Sequence, residues 1–225
     1  MKHIIYFIFA LFVCGVYAGC SENEIELYNQ TPRVNFVATW NMRSFVDTDY
    51  VKKTPYITDS FVVRIQGDFL KEQRAFCLKS IPNSNYEKSV EIVLDDTYTY
   101  TALDTVCQTF YYKINRPEVK SGKKVYGCFL EFDLDNPRHQ FDKGLVEKNR
   151  MDLNVRWNLK PENWEEWIWK EYSDAKYMFM MDVCECTLKD MQDDDYDKVV
   201  EAYKNYKDAG NPPILDEKGD EISFE

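Results

Sequence analysis

KVYGCFLEFDL, residues 124–134, decides the fold. Tyr126, Cys128, Leu130, Phe132 and Leu134 fall on one side of an extended chain, and Glu131 and Asp133 fall on the other. Side chains of a strand alternate between faces, so a period of two predicts a strand with one face buried and one in water. Met151, Leu153, Val155 and Trp157 repeat the pattern against Asp152, Asn154, Arg156 and Asn158. Phe61, Val63 and Ile65 do the same within Asp59–Gln66, where Gly67-Asp68 supplies a turn.

Outward from these three segments, Val34–Val37, Ala75–Ile81, Ser89–Leu94 and Thr105–Ile114 read as further strands, and Pro82-Asn83-Ser84-Asn85 breaks the second of them. Several short strands between turn signals predict an immunoglobulin-like β-sandwich over residues 33–158. The Cys–Trp–Cys spacing of true immunoglobulin domains is not evident.

At Lys160-Pro161 the texture changes. Pro161-Glu162-Asn163-Trp164 is suited to opening a helical turn. Ser173 then stands as a helix N-cap with Asp174 behind it, and Tyr177, Met180, Met181, Cys184 and Leu188 recur at helical spacing. A second helix begins in Asp193-Asp194-Asp195 with an apolar stripe of Tyr196, Val199, Val200 and Tyr203, and Gly210 with Pro212-Pro213 ends it. Ile214–Ile222 reads as a hairpin turning at Lys218-Gly219. The expected class is therefore mainly β with a C-terminal α portion, residues 159–225 forming a small helical appendage with a terminal hairpin.

The amino terminus carries a different signal. Lys2, the apolar run from Ile4 and the small residues Ala18-Gly19 before Cys20 have the layout of a secretory signal peptide, too short and wrongly flanked for a spanning helix. Ala18-Gly19-Cys20 resembles the lipobox of bacterial lipoproteins, with Tyr17 a less usual residue at its first position. The resemblance implies a signal peptide over residues 1–19, cleavage before Cys20 and lipid attachment to that cysteine. Residues 20–32 form an acidic tether, and Ser21–Glu26 is similar to the stretch that marks surface-exposed lipoproteins of the Bacteroidetes.

Composition bounds the function. At 44% hydrophobic and 16% aromatic, the chain of 225 residues is able to bury a core. Loss of Lys2 from the 28 basic residues leaves 27 against 39 acidic ones, which excludes nucleic acid as a partner and makes anionic headgroups repulsive. The membrane is then reached through the lipid alone.

Neither His-Glu-x-x-His nor Gly-x-Ser-x-Gly occurs, and after cleavage His139 is the single histidine, expected in a solvated loop. No catalytic residue is assigned, and the protein is expected not to be an enzyme. Asp193, Asp195 and Asp197 match the opening of a calcium loop, but Lys198 stands where glycine is required and Lys204 where glutamate should be. The acidic run instead suits the positive end of the following helix, so no metal and no cofactor is expected. Cys77 and Cys128 read as small buried hydrophobes. Cys184 and Cys186, two apart on a helix, point to different faces and do not share a metal or a bond.

The aromatics are the functional signal. Tyr98, Tyr100, Tyr111 and Tyr112 crowd strand-like segments, and Trp157 and Trp164 are expected in the core where sandwich meets helices. Trp167 and Trp169 do not share one helix face, so one is expected at the surface, and both are candidate ligand-binding residues. A flat exposed ring beside polar groups suits a sugar face.

Taken in order, several features fit one pattern: the Cys20 motif, the strand ending at Phe36, Asp59–Gln66 followed by Gly67, Pro161-x-x-Trp164, Tyr172-Ser173-x-x-Lys176-Tyr177, and Gly210-Asn211-Pro212-Pro213 to Asp216-x-x-Gly219. They resemble the Bacteroidetes outer-membrane lipoprotein family catalogued as domain of unknown function 4843. The resemblance implies lipid anchoring in the outer membrane, often beside SusC-like or SusD-like uptake proteins, and it carries over no catalytic residue. Lys170-Glu171 departs from it, standing where a glycine-containing turn is expected. The leading expectation is a surface-exposed, lipid-anchored binding protein, accessory to glycan or nutrient uptake, that engages a polysaccharide or a neighbouring uptake protein. The alternative is a structural or adhesion module making only protein contacts.

Overall fold

The computed structural model describes residues 31–119, 125–192 and 194–224. Cys20, the signal peptide 1–19 and nearly all of the tether lie outside the described residues. In chain order the elements are β1 (Arg33–Phe36), β2 (Trp40–Val46), α1 (Asp47–Val51), β3 (Tyr56–Gln66), β4 (Arg74–Phe76), β5 (Leu78–Pro82), β6 (Ile92–Val93) and β7 (Tyr98–Tyr100). They continue with β8 (Cys107–Asn115), β9 (Val125–Phe132), β10 (Asp142–Lys143), a 3₁₀ turn (Val146–Lys148), β11 (Arg150–Asn158), α2 (Glu166–Trp169), α3 (Asp174–Cys184) and α4 (Asp195–Asp208). Among the described residues no helix is long and apolar enough to cross a membrane.

The strands build a sandwich. One sheet runs β10-β1-β3-β8-β6, the other runs β2-β11-β9-β5, and β4 with β7 forms a separate ribbon. The predicted inward rows are the core: Phe61, Val63 and Ile65 face Tyr126, Cys128, Leu130, Phe132, Met151, Leu153 and Val155, all buried. Phe36 stacks on Phe132 at 4.5 Å between ring centres, so the two sheets touch through aromatic faces. Such contacts add about 0.5–1.5 kcal/mol beyond the area they bury. Mainly β, immunoglobulin-like and followed by helices, this is the expected class.

Two strand expectations are corrected, and one strand is added. Ala75–Ile81 is not one strand, because Phe76, Cys77 and Leu78 are buried in succession and the alternation fails there. The chain crosses at Cys77 from the ribbon into the second sheet. The crossing is held by Cys77 N–H to His139 Nδ1 at 3.2 Å and by Asp133 N–H to the Cys77 carbonyl at 2.9 Å. Ser89–Leu94 shortens to the two residues of β6. Trp40–Val46 forms a whole strand, parallel to β11, that the alternation did not announce.

Beyond β11 a second core gathers Leu159, Trp169, Tyr177, Met180, Met181, Val199, Tyr203 and Phe224. Ser173 caps α3 as expected, its Oγ accepting the Lys176 N–H at 3.1 Å. The helix ends at Cys184, where Glu185 takes a left-handed φ of 54° and donates its N–H to the Met181 carbonyl at 2.8 Å. Cys186 therefore lies past the helix, not on another of its faces. Leu188 lies beyond it too, returning to donate its N–H to Tyr177 Oη at 2.9 Å. The expected turn at Pro161–Trp164 precedes α2, and the terminal hairpin is a single bridge, Leu215 to Glu221, with Gly219 at φ 90°.

Trp157 joins the two cores, packing against both. Its Nε1–H donates to the Pro117 carbonyl at 3.3 Å, and the Arg116 guanidinium lies 4.9 Å above its ring. From β2, α1 reaches the helices: Tyr177 donates to Asp47 Oδ2 at 2.9 Å, and Tyr50 donates to the Asp182 carboxylate.

Candidate functional site

The tryptophans separate by exposure. Trp164 donates its Nε1–H to the Lys170 carbonyl at 3.0 Å and meets Tyr172 edge-on at 4.9 Å. Trp169 is only 6% exposed, against Trp164 at 6.4 Å and Tyr196 at 5.4 Å. This removes Trp169 from the candidate ligand residues: one face of a four-residue helix has to close the second core, and Trp169 is on it. Trp167, two residues earlier, is 78% exposed.

The segment after α2 is held from below. Lys176 is 4% exposed, and its Nζ donates to the carbonyls of Trp169 at 3.0 Å and Glu171 at 2.8 Å. These two carbonyls flank Lys170, which takes φ 60°, ψ −162°, a region that suits glycine. The turn expected to contain glycine is present, made by a lysine instead. Burial pushes the Lys176 ammonium below the usual lysine range.

His139 is packed, not solvated. Its ring lies between Phe132 and Phe141, Nδ1 accepts the Cys77 N–H, and Nε2 is buried without a partner among the described residues. Burial lowers its pKa, so it is a neutral structural acceptor at the β4–β5 crossing. Among the described residues no group of three His, Cys, Asp or Glu side chains is placed to hold a metal. In the acidic run, Asp195 Oδ2 accepts the Gln192 N–H at 2.8 Å, and Asp193 lies outside the described residues.

The surface with ring, hydroxyl and rigid support together is the outer face of β3 and β8. Nine residue pairs, Tyr56–Asn115 through Arg64–Cys107, lock these strands, and β1 and β6 flank them. Alternation turns Tyr56, Thr58, Ser60, Val62 and Arg64 outward on β3, and Thr109, Tyr111 and Lys113 outward on β8. None of them is acidic, in a chain of formal charge −11. Tyr111, opposite Ser60, is 63% exposed and central. Tyr56 is 41% exposed, with the Lys113 ammonium 4.4 Å over one face of its ring.

Tyr111 is positioned from behind by its chain neighbours. Phe110 stacks on Phe61 at 5.7 Å, and the buried Tyr112 donates to Asp59 Oδ2 at 2.6 Å. Asp59 is itself buried, takes an Nδ2–H from Asn41 at 2.7 Å and pairs with Arg43. Burial acts to raise the Asp59 pKa, but the hydrogen bonds from Arg43, Tyr112 and the Ser60 backbone outweigh it and hold the carboxyl below its ordinary value. This clamp ties β2 of one sheet to β3 and β8 of the other beneath the exposed ring. Sequence reasoning named Tyr111 as part of a crowded segment but missed Arg43, Asn41 and the 56%-exposed Trp40, all on the unannounced β2.

No family model matches the chain, and no curated protein matches it. Among solved structures it is similar to a candidate carbohydrate binding protein from Bacteroides ovatus, at 14% identity and a TM-score of 0.40, over 55% of this chain and 36% of that one. It is also similar to the Calx CBD1 domain (8% identity, TM-score 0.36, 57% of this chain and 99% of that one). A third is a two-domain protein of unknown function from Bacteroides fragilis (8% identity, TM-score 0.36, 60% and 49%). This chain spans about a third of the length of the first, 36%. The likenesses reach little past half of this chain, and its fold is read from its own registers and cores.

Proposed function

We propose that this is a lipid-anchored, surface-exposed binding protein, an accessory to glycan or nutrient uptake at the outer membrane, and not a catalyst. The Cys20 motif and the acidic tether support the anchoring. The family resemblance supports an uptake protein of the SusC-like or SusD-like kind as its neighbour. The observation that carries the binding role is the outer face of β3 and β8, where Tyr111 stands 63% exposed among Thr58, Ser60 and Thr109. A ring fixed by a sheet loses little conformational freedom when a sugar stacks on it, and hydroxyls on either side supply directional hydrogen bonds. Trp167 offers a second ring, on the helical portion.

The test is a polysaccharide binding screen of the purified protein with Tyr111→Ala and Trp167→Ala in parallel. Saturable binding that Tyr111→Ala weakens by about tenfold or more, the loss of some 1.4 kcal/mol, supports the sheet face. Binding lost only in Trp167→Ala moves the site to α2. Capture of a surface protein with no response to any sugar favours the adhesion reading instead. Anchoring is checked separately: Cys20→Ala is expected to release the protein from the membrane fraction.

A further inference from the structure

At the end of the same face away from Tyr56, a loop closes over the sheet. Arg64 is in register with Asn35 of β1 on one side and Cys107 of β8 on the other. Val34 and Phe36 are core residues, so Asn35 points outward, yet it is only 3% exposed. The cover is Gly144. A Cβ there would stand 2.3 Å from Asn35 Oδ1 and from the Val34 carbonyl oxygen, an approach only glycine permits. The contact lets the Leu145 N–H donate to Asn35 Oδ1 at 2.7 Å. That bond fixes the amide orientation and leaves Nδ2 as a donor without a protein acceptor among the described residues.

The 3₁₀ turn Val146–Lys148 then brings Lys148 to the wall of a cavity of about 380 Å³ that Asn35, Arg64, Gln66, Val37 and Leu145 also line. None of its lining residues is Asp or Glu. Among the described residues neither Arg64 nor Lys148 has an ion-pair or side-chain hydrogen-bond partner. Many other basic side chains do, Arg43, Lys79, Lys88 and Lys218 among them.

Two other cavities among the described residues differ in this respect. One of about 470 Å³ at the sandwich–helix junction sets Lys53 and Arg116 against Glu118 and Asp182. One of about 340 Å³ beside α4 has Lys207 3.5 Å from Glu221. In a chain of formal charge −11, two uncompensated cations and a fixed amide donor converge on the Asn35 cavity alone of the three.

We infer that this cavity is an anion subsite that takes the carboxylate of an acidic sugar, a uronic acid unit of a polysaccharide lying along β3 and β8. The inference rests on the carbohydrate-binding role proposed for that face. Arg64 supplies a planar fork that matches a carboxylate, Lys148 a point charge and Asn35 a neutral donor, while Val37 and Leu145 offer apolar contact to the sugar ring. The net negative charge of the chain opposes loose adhesion of a polyanion, so recognition of an acidic chain has to be local. Tyr111 lies opposite Ser60, four residues from Arg64 and so about 13 Å along the strand. A single sugar reaches one of these points, and an oligomer reaches both, so affinity climbs once the ligand spans them.

The experiment titrates the purified protein with matched galacturonate and galactose oligomers, with free galacturonate, and with inorganic sulfate. It uses the wild type, Arg64→Gln, Lys148→Gln and Tyr111→Ala, and follows the Asn35 side-chain amide by NMR. Arg64 is exposed, so its replacement is expected to leave the melting temperature unchanged. The acidic oligomer is expected to bind about 10- to 100-fold tighter than the neutral one, as charge-assisted hydrogen bonds allow. Arg64→Gln and Lys148→Gln are expected to remove that preference, and Tyr111→Ala to weaken both oligomers alike.

Equal binding of both oligomers, unchanged in Arg64→Gln, overturns the subsite and leaves the carbohydrate role standing. If no oligomer binds but galacturonate shifts the Asn35 amide through Arg64, the subsite stands and the polysaccharide role falls. A shift with sulfate and none with galacturonate overturns the sugar assignment. Silence in every arm overturns both.

Discussion

Lys170 shows how a single side chain records the demands of its surroundings. Trp169 must reach the second core and Ser173 must cap α3, and the chain between them bends through a backbone region that glycine enters most easily. The carbonyls fixed by Lys176 hold a lysine there. Such strain costs about 1–3 kcal/mol, against about 0.5–1 for the added freedom of glycine when unfolded. Lys170→Gly is therefore expected to stabilise the protein by about 1 kcal/mol, read as a higher urea midpoint at unchanged slope.

His139 and Asp59 set two successive steps in the loss of stability on acidification. The folded pKa of His139 is depressed, so the unfolded chain binds its proton more readily. Stability is complete above about pH 6.5 and is lost as pH falls from there through the folded value. Denaturant titrations between pH 7 and pH 5 are expected to show this slope in the wild type and a flatter one in His139→Gln. Asp59, also depressed, contributes stability that is present above about pH 4 and is lost as pH falls through its folded value. Asp59→Asn is expected to cost about 2 kcal/mol at neutral pH, because the half-exposed Arg43 keeps access to water while Tyr112 and Asn41 lose a charged acceptor.

At the scale of elements, α3 was legible because its signals are local. Ser173 is a cap by chemistry, and Tyr177, Met180 and Met181 share a stripe whatever they pack against. Ser173→Ala is expected to lower stability by about 1 kcal/mol, checked by thermal unfolding. β9 and β11 were legible for a similar reason, since one side of each must be dry. β2 was not. Its inward row is Asn41, Arg43 and Phe45, and the two polar residues are inward because Asp59 and Tyr112 wait there on strands far away in sequence. The break at Cys77 was hidden too, because a run of buried residues looks the same within a strand and across a crossing.

At the scale of the molecule, the two cores meet at Trp157, with α1 as a second contact. Trp157→Ala is expected to cost about 3 kcal/mol and to separate unfolding of the helical portion from that of the sandwich. Far-ultraviolet circular dichroism and near-ultraviolet tyrosine signals should then part, where the wild type shows one transition. A single unchanged transition would mean that α1 alone couples the cores.

The candidate site divides along the same line. Tyr111 and Trp167 were visible as aromatics, but exposure is a property of packing, and it sent Trp167 outward and Trp169 into the core. The cavity around Arg64 joins β1, β3 and the 145–148 turn, segments separated by up to 110 residues between Asn35 and Leu145. What the sequence by itself determined is what local chemistry dictates: the period-two strands, the cap and apolar stripe of α3 and the acidic balance. Only the tertiary structure decided which rings face water and which cations lack a partner, because both depend on residues brought together by folding.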